Sequence, residues 1–466
     1  MARKKPIVCA GCVRLQQEMR ELHAKVLRLE EQLAAARKNS STSSKPPSSD
    51  IVKPPCGEPS PNASPRAAGG QPGHPKHERT PFAPEQIQEF FDYRVEICPD
   101  CGQRLRPSGA APLVVQQVDL PEIPLHIEEH RQHEGYCPCC DKAFRGVLPS
   151  VVARGGLLGP RLTALVAFLK GACHASFSTV RKFLRDVVGV TVSRGQLAKV
   201  VAKVSAALQH PYEELLDLLP EEEHLNVDET GHKNKKQLFW TWCFRADLYT
   251  LFKIAPTRSA DVLLEVLGAE FNGVLGCDFF SAYRRYMREC GIQVQFCLAH
   301  FIREVKYLTT LPDARDRAYG ERLREGLRAL FSVIHEREQL SAQAFALRLH
   351  TARANVLWYG THDVPATAAA QRLAKRLEKH GASYFRFVTT PGVEPTNNLA
   401  EQAIRFVVID RLITQGTRSE TGQRWCERIW TTMATCAQQG RSVYEFLSTA
   451  VDHWFHDEPG PSLLET

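Results

Sequence analysis

Near the N-terminus, apolar residues fall at Leu15, Met19, Leu22, Val26, Leu29 and Leu33, in steps of four and three that repeat without a break. That spacing is the heptad seam of a coiled coil, and Glu, Arg, Lys and Gln fill the other faces. Nearly three heptads make a modest oligomerisation helix; the alternative is a single helix packed on its own chain. The periodicity then stops. From about Asn39 to Pro84 the chain is rich in Ser, Pro and Gly, as in Ser43-Ser44-Lys45-Pro46-Pro47-Ser48-Ser49-Asp50 and Gly69-Gly70-Gln71-Pro72-Gly73-His74-Pro75. Such a composition cannot bury enough surface to offset the entropy of ordering, which predicts a flexible linker. Short alternating runs at 113–120 and 125–128 read as strands.

From Gly159 the pattern turns helical. A helix over 178–188, a Gly-containing turn at 189–192 and a second helix capped by Ser193 follow one another, the layout of a helix-turn-helix. After Glu223 the pattern becomes strand-like. Strands are expected at 223–228 (ending in a turn at Asp228), 238–244 and 249–254, with a hairpin turn at Arg245-Ala246-Asp247. A helix over 258–267, a buried strand over 273–278 and another strand over 292–296 come next. A long helical run covers 313–380, and Thr396 or Asn397 can cap a final helix that carries Glu401 near its start.

Composition narrows the class. The 466 residues leave ample length for a large core, and 59 Lys+Arg against 52 Asp+Glu give a net charge of +7, which permits a nucleic-acid partner without requiring one. Distribution says more: Ser178 to Ser205 holds six Lys+Arg and one acid. Arg194, Gln196, Lys199 and Lys203 are expected on or near the exposed face of the second helix, where they can contact double-stranded DNA. No unbroken apolar run reaches the roughly 18 residues of a membrane span, and no apolar h-region follows Met1. No membrane partner is expected, and the expected compartment is a reducing cytoplasm. Fifteen cysteines there argue for thiols and metal sites rather than disulfides.

Two CxxC knuckles, Cys98–Cys101 and Cys137–Cys140, are separated by a 35-residue segment and match a four-thiolate structural zinc site. Cys140 is preferred over Cys139 because it keeps the CxxC spacing. Four thiolates leave no open position, so this zinc is not catalytic. Cys9 and Cys12 form a lone CxxC, half a zinc site at most, and no role is assigned to them.

The acids carry the chemistry. Asp228 and Asp278, 50 residues apart, both stand at carboxyl ends of expected strands. The order strand, strand, strand, helix, strand, helix, strand is the ribonuclease-H-like arrangement, in which the first and fourth strands run side by side and parallel. Their terminal acids then converge, and two close carboxylates repel unless a cation lies between them. Hard oxygen ligands suit magnesium or manganese. Glu401 supplies a third ligand, and Arg405, one helical turn on, can take a phosphate. Alternation along the strand aims Glu229 away from Asp228.

These residues resemble the transposases of the IS66 insertion-sequence family. The resemblance rests on the N-terminal heptads, the SSKPPSSD and QPGHP segments, the paired knuckles, VDET around Asp228, CDFFSAY around Asp278 and TNNLAEQAIR around Glu401. It implies an Asp228–Asp278–Glu401 triad on a ribonuclease-H-like core, a helical insertion before Glu401, and a supporting role for His300 in the CLAH segment. The chain departs from the family in its CPCC knuckle followed by Asp141, and in FVVIDRLITQG after Arg405. The implied reaction is metal-dependent cleavage and strand transfer on DNA with two ions about 3.5–4 Å apart. The implied partners are terminal-repeat and target DNA, a second copy through the coiled coil, and companion proteins of the same element. A DNA-binding regulator or accessory protein without catalysis, and a plain nuclease of the same fold, are the rival readings.

The expected architecture is multidomain α+β, a mixed sheet flanked by helices. It comprises a coiled-coil helix with the N-terminal CxxC (1–38), linker (39–85), zinc module (86–150) and helix-turn-helix region (151–215). The catalytic core follows in two parts, 216–310 and 391–466, around a helical insertion at 311–390.

Overall fold

The computed structural model describes residues 10–38, 83–87, 100, 103, 114, 125–137, 139, 141–145 and 147–464. The chain divides into two compact units, one of Met1–Pro54 with His130–Thr466 and the other of Pro55–Glu129. In the smaller unit the described residues include a single helical turn, Pro84–Gln86. They also include an extended stretch in which the His126 ring stands 3.0 Å from Glu128. The strand expected at 125–128 is not formed, and Ile127 there is exposed. The linker proper, residues 39–82, lies outside the described residues.

The larger unit begins with helix α1 (Ala10–Ala36). All six seam residues from Leu15 to Leu33 are exposed and line one stripe of the helix. The C-terminal end of α1 meets the body. Ala34 packs against the core, and the Lys38 ammonium lies 3.7 Å from the centre of the Tyr307 ring.

A hairpin of β1 (Glu134–Cys137) and β2 (Lys142–Arg145) follows. Asp141 there adopts φ 52°, a left-handed position that short polar side chains tolerate. Of the cysteines expected to hold zinc, Cys98, Cys101 and Cys140 lie outside the described residues, as does the side chain of Cys137.

Helices α2 (Ser150–Gly155), α3 (Pro160–Gly171), α4 (Phe177–Phe183) and α5 (Arg194–Ala207) come next. Residues 150–171 are long and apolar enough to cross a bilayer. They are nevertheless two helices broken at 156–159, and α3 packs on α5 and on α15 (Val443–Phe455). After α4, one π-helical turn over Leu184–Val188 ends at Gly189, φ 81°, where a side chain would be strained. Ser193 and Gln196 form a full capping box at the start of α5. The expected helix, turn and capped helix are therefore all present.

After α6 (Gln209–Leu218) comes a mixed five-stranded sheet, order β5-β4-β3-β6-β7. Its strands are β3 (His224–Asn234), β4 (Gln237–Arg245), β5 (Thr250–Ala255), β6 (Val274–Cys277) and β7 (Gln293–Phe296). The first and fourth strands of this sheet are neighbours and parallel, His224 facing Val274 and Asn226 facing Gly276, as the element order predicts. Any side chain at Gly276 would collide with Asn226, so the two strands are locked at close approach. One expectation is corrected. β3 does not stop at Asp228 but runs on to Asn234, because β4 continues to pair with it past the acid as far as Asn234↔Gln237. The turn is at Lys235-Lys236 instead, with Lys235 at φ 56°.

Helices α7 (Ala260–Leu267), α8 (Ser281–Cys290) and α9 (Leu298–Leu308) alternate with the later strands. The long helical run is α10 (Ala314–His335), α11 (Ala342–Thr361) and α12 (Ala368–Tyr384). Next come α13 (Asn398–Thr414) and α14 (Glu420–Gln439). Helices α13 and α14 cover β3–β5, and α12 covers β7.

The edge strand β5 is closed by side chains rather than by another strand. Thr250 N–H donates to Thr435 Oγ1 (3.2 Å), Phe252 N–H to Thr431 Oγ1 (3.0 Å) and Ile254 N–H to Glu427 Oε1 (2.6 Å). Four residues of helix rise about 6.0 Å and two of strand about 6.8 Å, so a polar side chain every fourth residue of α14 meets every outward N–H of β5.

Candidate active site

Asp228 lies on β3 two residues beyond the end of the parallel ladder with β6, and Asp278 is the residue that follows β6. Both strands deliver their acids to the same end of the sheet. The Glu229 N–H donates to Asp228 Oδ1 (2.9 Å), and the Phe280 N–H donates to Asp278 Oδ1 (2.8 Å).

Glu401 stands in the first turn of α13, where the helix dipole favours a carboxylate. What sets that helix in place is Asn397. Thr396 and Asn397 were candidates to cap α13, but the Asn397 side chain makes no cap bond. Its amide instead donates to the carbonyl of Val227 (2.8 Å), next to Asp228, while its backbone N–H donates to Cys297 Sγ (3.1 Å). The bond from Nδ2 to the strand carbonyl fixes how the side chain is turned, and Oδ1, the atom a cap would use, is left buried without a partner. His300 comes to the site on α9: its Nδ1 is 3.5 Å from Glu401 Oε1. Arg303, one turn further on, has Nη2 3.8 Å from Glu401 Oε2.

Charge couples the acids. Burial raises the Asp228 carboxyl well above the usual range, and the charges of Glu229, Asp278 and Glu401 push it further. Burial also raises Asp278, against the pull of the Phe280 N–H, Arg258 and Arg284. Glu401 is raised by burial and opposed by Arg303 and Arg405. His300 is depressed to about 4 by burial and by Arg303. The structure thus brings Asp228, Asp278 and Glu401 into one field, with His300 and the exposed Arg405 beside them. The ligand atoms of the three acids do not all close to within 4.8 Å; among the described residues, Cys297, His300 and Glu401 do.

Several participants escape sequence reasoning. Glu229 does point to the opposite face of β3 from Asp228, the face of Leu225 and Val227, and is buried there. Arg258 Nε donates to its Oε1 (2.5 Å), and the Tyr283 hydroxyl donates to Oε2. Its charge still reaches both Asp228 and Asp278. An acid at a strand position where alternation calls for an apolar residue is itself the signal of a buried ion pair. Arg258 also stacks on Phe280, 3.8 Å from the ring centre, which ties the Asp278 loop to the same guanidinium.

The residues expected to contact DNA on α5 are elsewhere, on a helix that packs against α3, α14 and α15. Lys199 is exposed. Arg194 donates to Ser178 Oγ (2.7 Å), and Gln196 is committed to the capping box. Lys203 turns inward, donating to the carbonyls of Arg154 and Gly155.

The family described as "Transposase IS66 family" matches residues 155–424. A family of unknown function matches residues 7–80. Two relatives from Sinorhizobium fredii are similar over most of their length. The uncharacterized protein y4qI is 24% identical over 82% of this chain and 75% of its own. The uncharacterized protein y4jD is 22% identical over 71% of this chain and 70% of its own.

Proposed function

Given that the chain belongs to the IS66 transposase family, we propose that it is a DNA transposase that cleaves and joins strands at an Asp228–Asp278–Glu401 triad. The observation that carries the reading is the mutual field of these three carboxylates, on a sheet whose order is that of a ribonuclease-H-like core. Grouping acids that all resist ionisation is costly for a metal-free protein, and it suits a site built for hard divalent cations. Asp228, Asp278 and Glu401 would hold magnesium or manganese. When bound, such ions supply Lewis acidity to an in-line displacement at a phosphodiester.

The chain's own groups do the rest. Asn397 holds the Glu401 helix against β3, so the third carboxylate arrives already oriented. Arg258 pins Glu229 and the Asp278 loop. Exposed Arg405 supplies a cation for a phosphate of the strand being cut. Lys199 and Arg194 on α5 engage the DNA backbone, and the inward-turned Lys203 fastens α5 to α2. The paired knuckles hold a structural zinc, and α1 pairs protomers so that two element ends meet.

The test is purified protein with terminal-repeat DNA and magnesium or manganese. Cleavage and joining by the parent, with loss of both in Asp228→Asn and Glu401→Gln, is expected. Equal activity of the variants would remove the triad. Binding without cleavage by the parent would favour an accessory regulator, and cleavage without joining a nuclease.

A further inference from the structure

The CLAH turn does more than stand beside the acids. A sulfur of Cys297, a ring nitrogen of His300 and a carboxylate oxygen of Glu401 lie within 4.8 Å of one another. His300 Nδ1 and Glu401 Oε1 face each other at 3.5 Å, and neither has a hydrogen-bond partner although both are shielded from solvent. Two such orphans side by side are costly, and one cation between them would satisfy both. Nitrogen and oxygen ligands held about 2.0–2.1 Å from a tetrahedral ion stand roughly 3.3 Å apart, close to the gap observed. Residues 297 and 300, spaced i and i+3, share one face at the start of α9. The Cys297 sulfur already accepts the N–H of Asn397 (3.1 Å); burial raises its thiol, against the pull of the N–H groups of Asn397, His300 and Ala299.

We propose that Cys297, His300 and Glu401 form a binding site for a thiolate-preferring divalent cation of the zinc class. Sulfur, imidazole and a single carboxylate oxygen are a borderline-soft donor set, unlike the all-oxygen set that magnesium selects. Three protein donors leave a tetrahedral ion one open position. Binding releases the Cys297 thiol proton to solvent. It also requires the lone pair of His300 on Nδ1, so the ring proton moves to Nε2. Arg303 Nη1, now 3.5 Å from that Nε2, must then turn to Glu401 Oε2, from which Arg303 Nη2 is 3.8 Å. Because Glu401 is shared, an ion held here withdraws it from Asp228 and Asp278. That consequence, unlike the site itself, rests on the triad reading.

The test is cobalt(II) titration of the full chain and of Cys297→Ser, prepared in parallel so that the knuckle thiolates contribute equally to both. The parent is expected to take up one more equivalent, with sulfur-to-cobalt charge-transfer absorption. Glu401→Gln should weaken that equivalent at least about tenfold, and millimolar magnesium should not displace it. Equal uptake and equal spectra in parent and Cys297→Ser overturn the proposal, as does ready displacement by magnesium. If thermal melting finds Cys297→Ser unfolded, His300→Gln replaces it under the same criteria. An extra cobalt equivalent in a chain that never cleaves DNA would leave this site standing and retire the triad.

Discussion

Two sets of buried carboxylates lie against the same sheet, and they differ in what their oxygens are doing. At the β5 edge, Glu427 accepts from the Ile254 N–H and pairs with Arg424 (2.7 Å). At the β3–β6 end, Glu401 Oε1 has no hydrogen bond, and Asp228 accepts its bond from the N–H of the next residue. Burial raises the carboxyl in both settings, first among the causes for Glu427 as for Asp228 and Glu401. A raised pKa therefore does not separate a structural acid from a reactive one. What differs is the partner: Glu427 is held by an N–H and an arginine, whereas Glu401 Oε1 is left without a hydrogen bond.

The sharpest way to break this contrast is to remove charge on each side. Asp228→Asn and Glu401→Gln are expected to lower DNA cleavage by about 10³-fold or more without lowering the melting temperature, because each removes repulsion. Magnesium should raise the melting temperature of the parent more than that of either variant. Glu427→Ala should do the reverse. Losing the acceptor of a buried N–H together with an ion-pair partner costs about 3 kcal/mol in denaturant unfolding, with cleavage retained where the protein stays folded.

A smaller effect follows from pH. The folded-state pKa of Asp228 is raised above its unfolded value, so the folded chain keeps a proton that the unfolded chain releases. That contribution favours the metal-free parent at low pH and is lost as pH rises from about 4 through the raised pKa. His300, depressed to about 4, acts oppositely below about 6.5, the unfolded histidine value. The difference between Asp228→Asn and the parent cancels the histidine. The stability advantage of the variant should be largest at neutral pH and fade towards pH about 4, as read by denaturation in a chelator. The smallest effect belongs to α5. Lys199→Ala should reduce the slope of log affinity against log salt by about 1 for any DNA sequence. Lys203→Ala should instead lower stability, because its ammonium serves two half-buried carbonyls of α2.

Much of this was legible in the residues. The strand order, the neighbouring parallel strands and the convergence of Asp228, Asp278 and Glu401 follow from element order and from where the acids interrupt apolar runs. The heptads and the Ser193 cap are local patterns and appear where local physics puts them. What escaped depends on partners distant in sequence. β3 outran its expected end because β4 lies alongside it. Asn397 reads as a cap because the Val227 carbonyl that takes its amide N–H, 170 residues earlier, is invisible to a local pattern. Thr431, Thr435 and Glu427 look like ordinary helix polar residues until β5 is set beside them. Glu229 was set aside on alternation, which fixes direction but says nothing of the arginine waiting on that face.

The bonds between α13 and β3 have a further consequence. Asn397 holds Val227, Arg411 donates to Thr230 (3.1 Å) and to the Gly231 carbonyl, and Thr417 exchanges backbone bonds with Lys233 and Lys235 (2.8 Å each). The helix is keyed to the strand by the residue before it, by Arg411 near its end and by the segment that follows it. The position of Glu401 is therefore written in β3 and not in the helices α10–α12 that separate it from Asp278. Those helices can lengthen, shorten or take on new surfaces while the spacing of the acids is inherited unchanged.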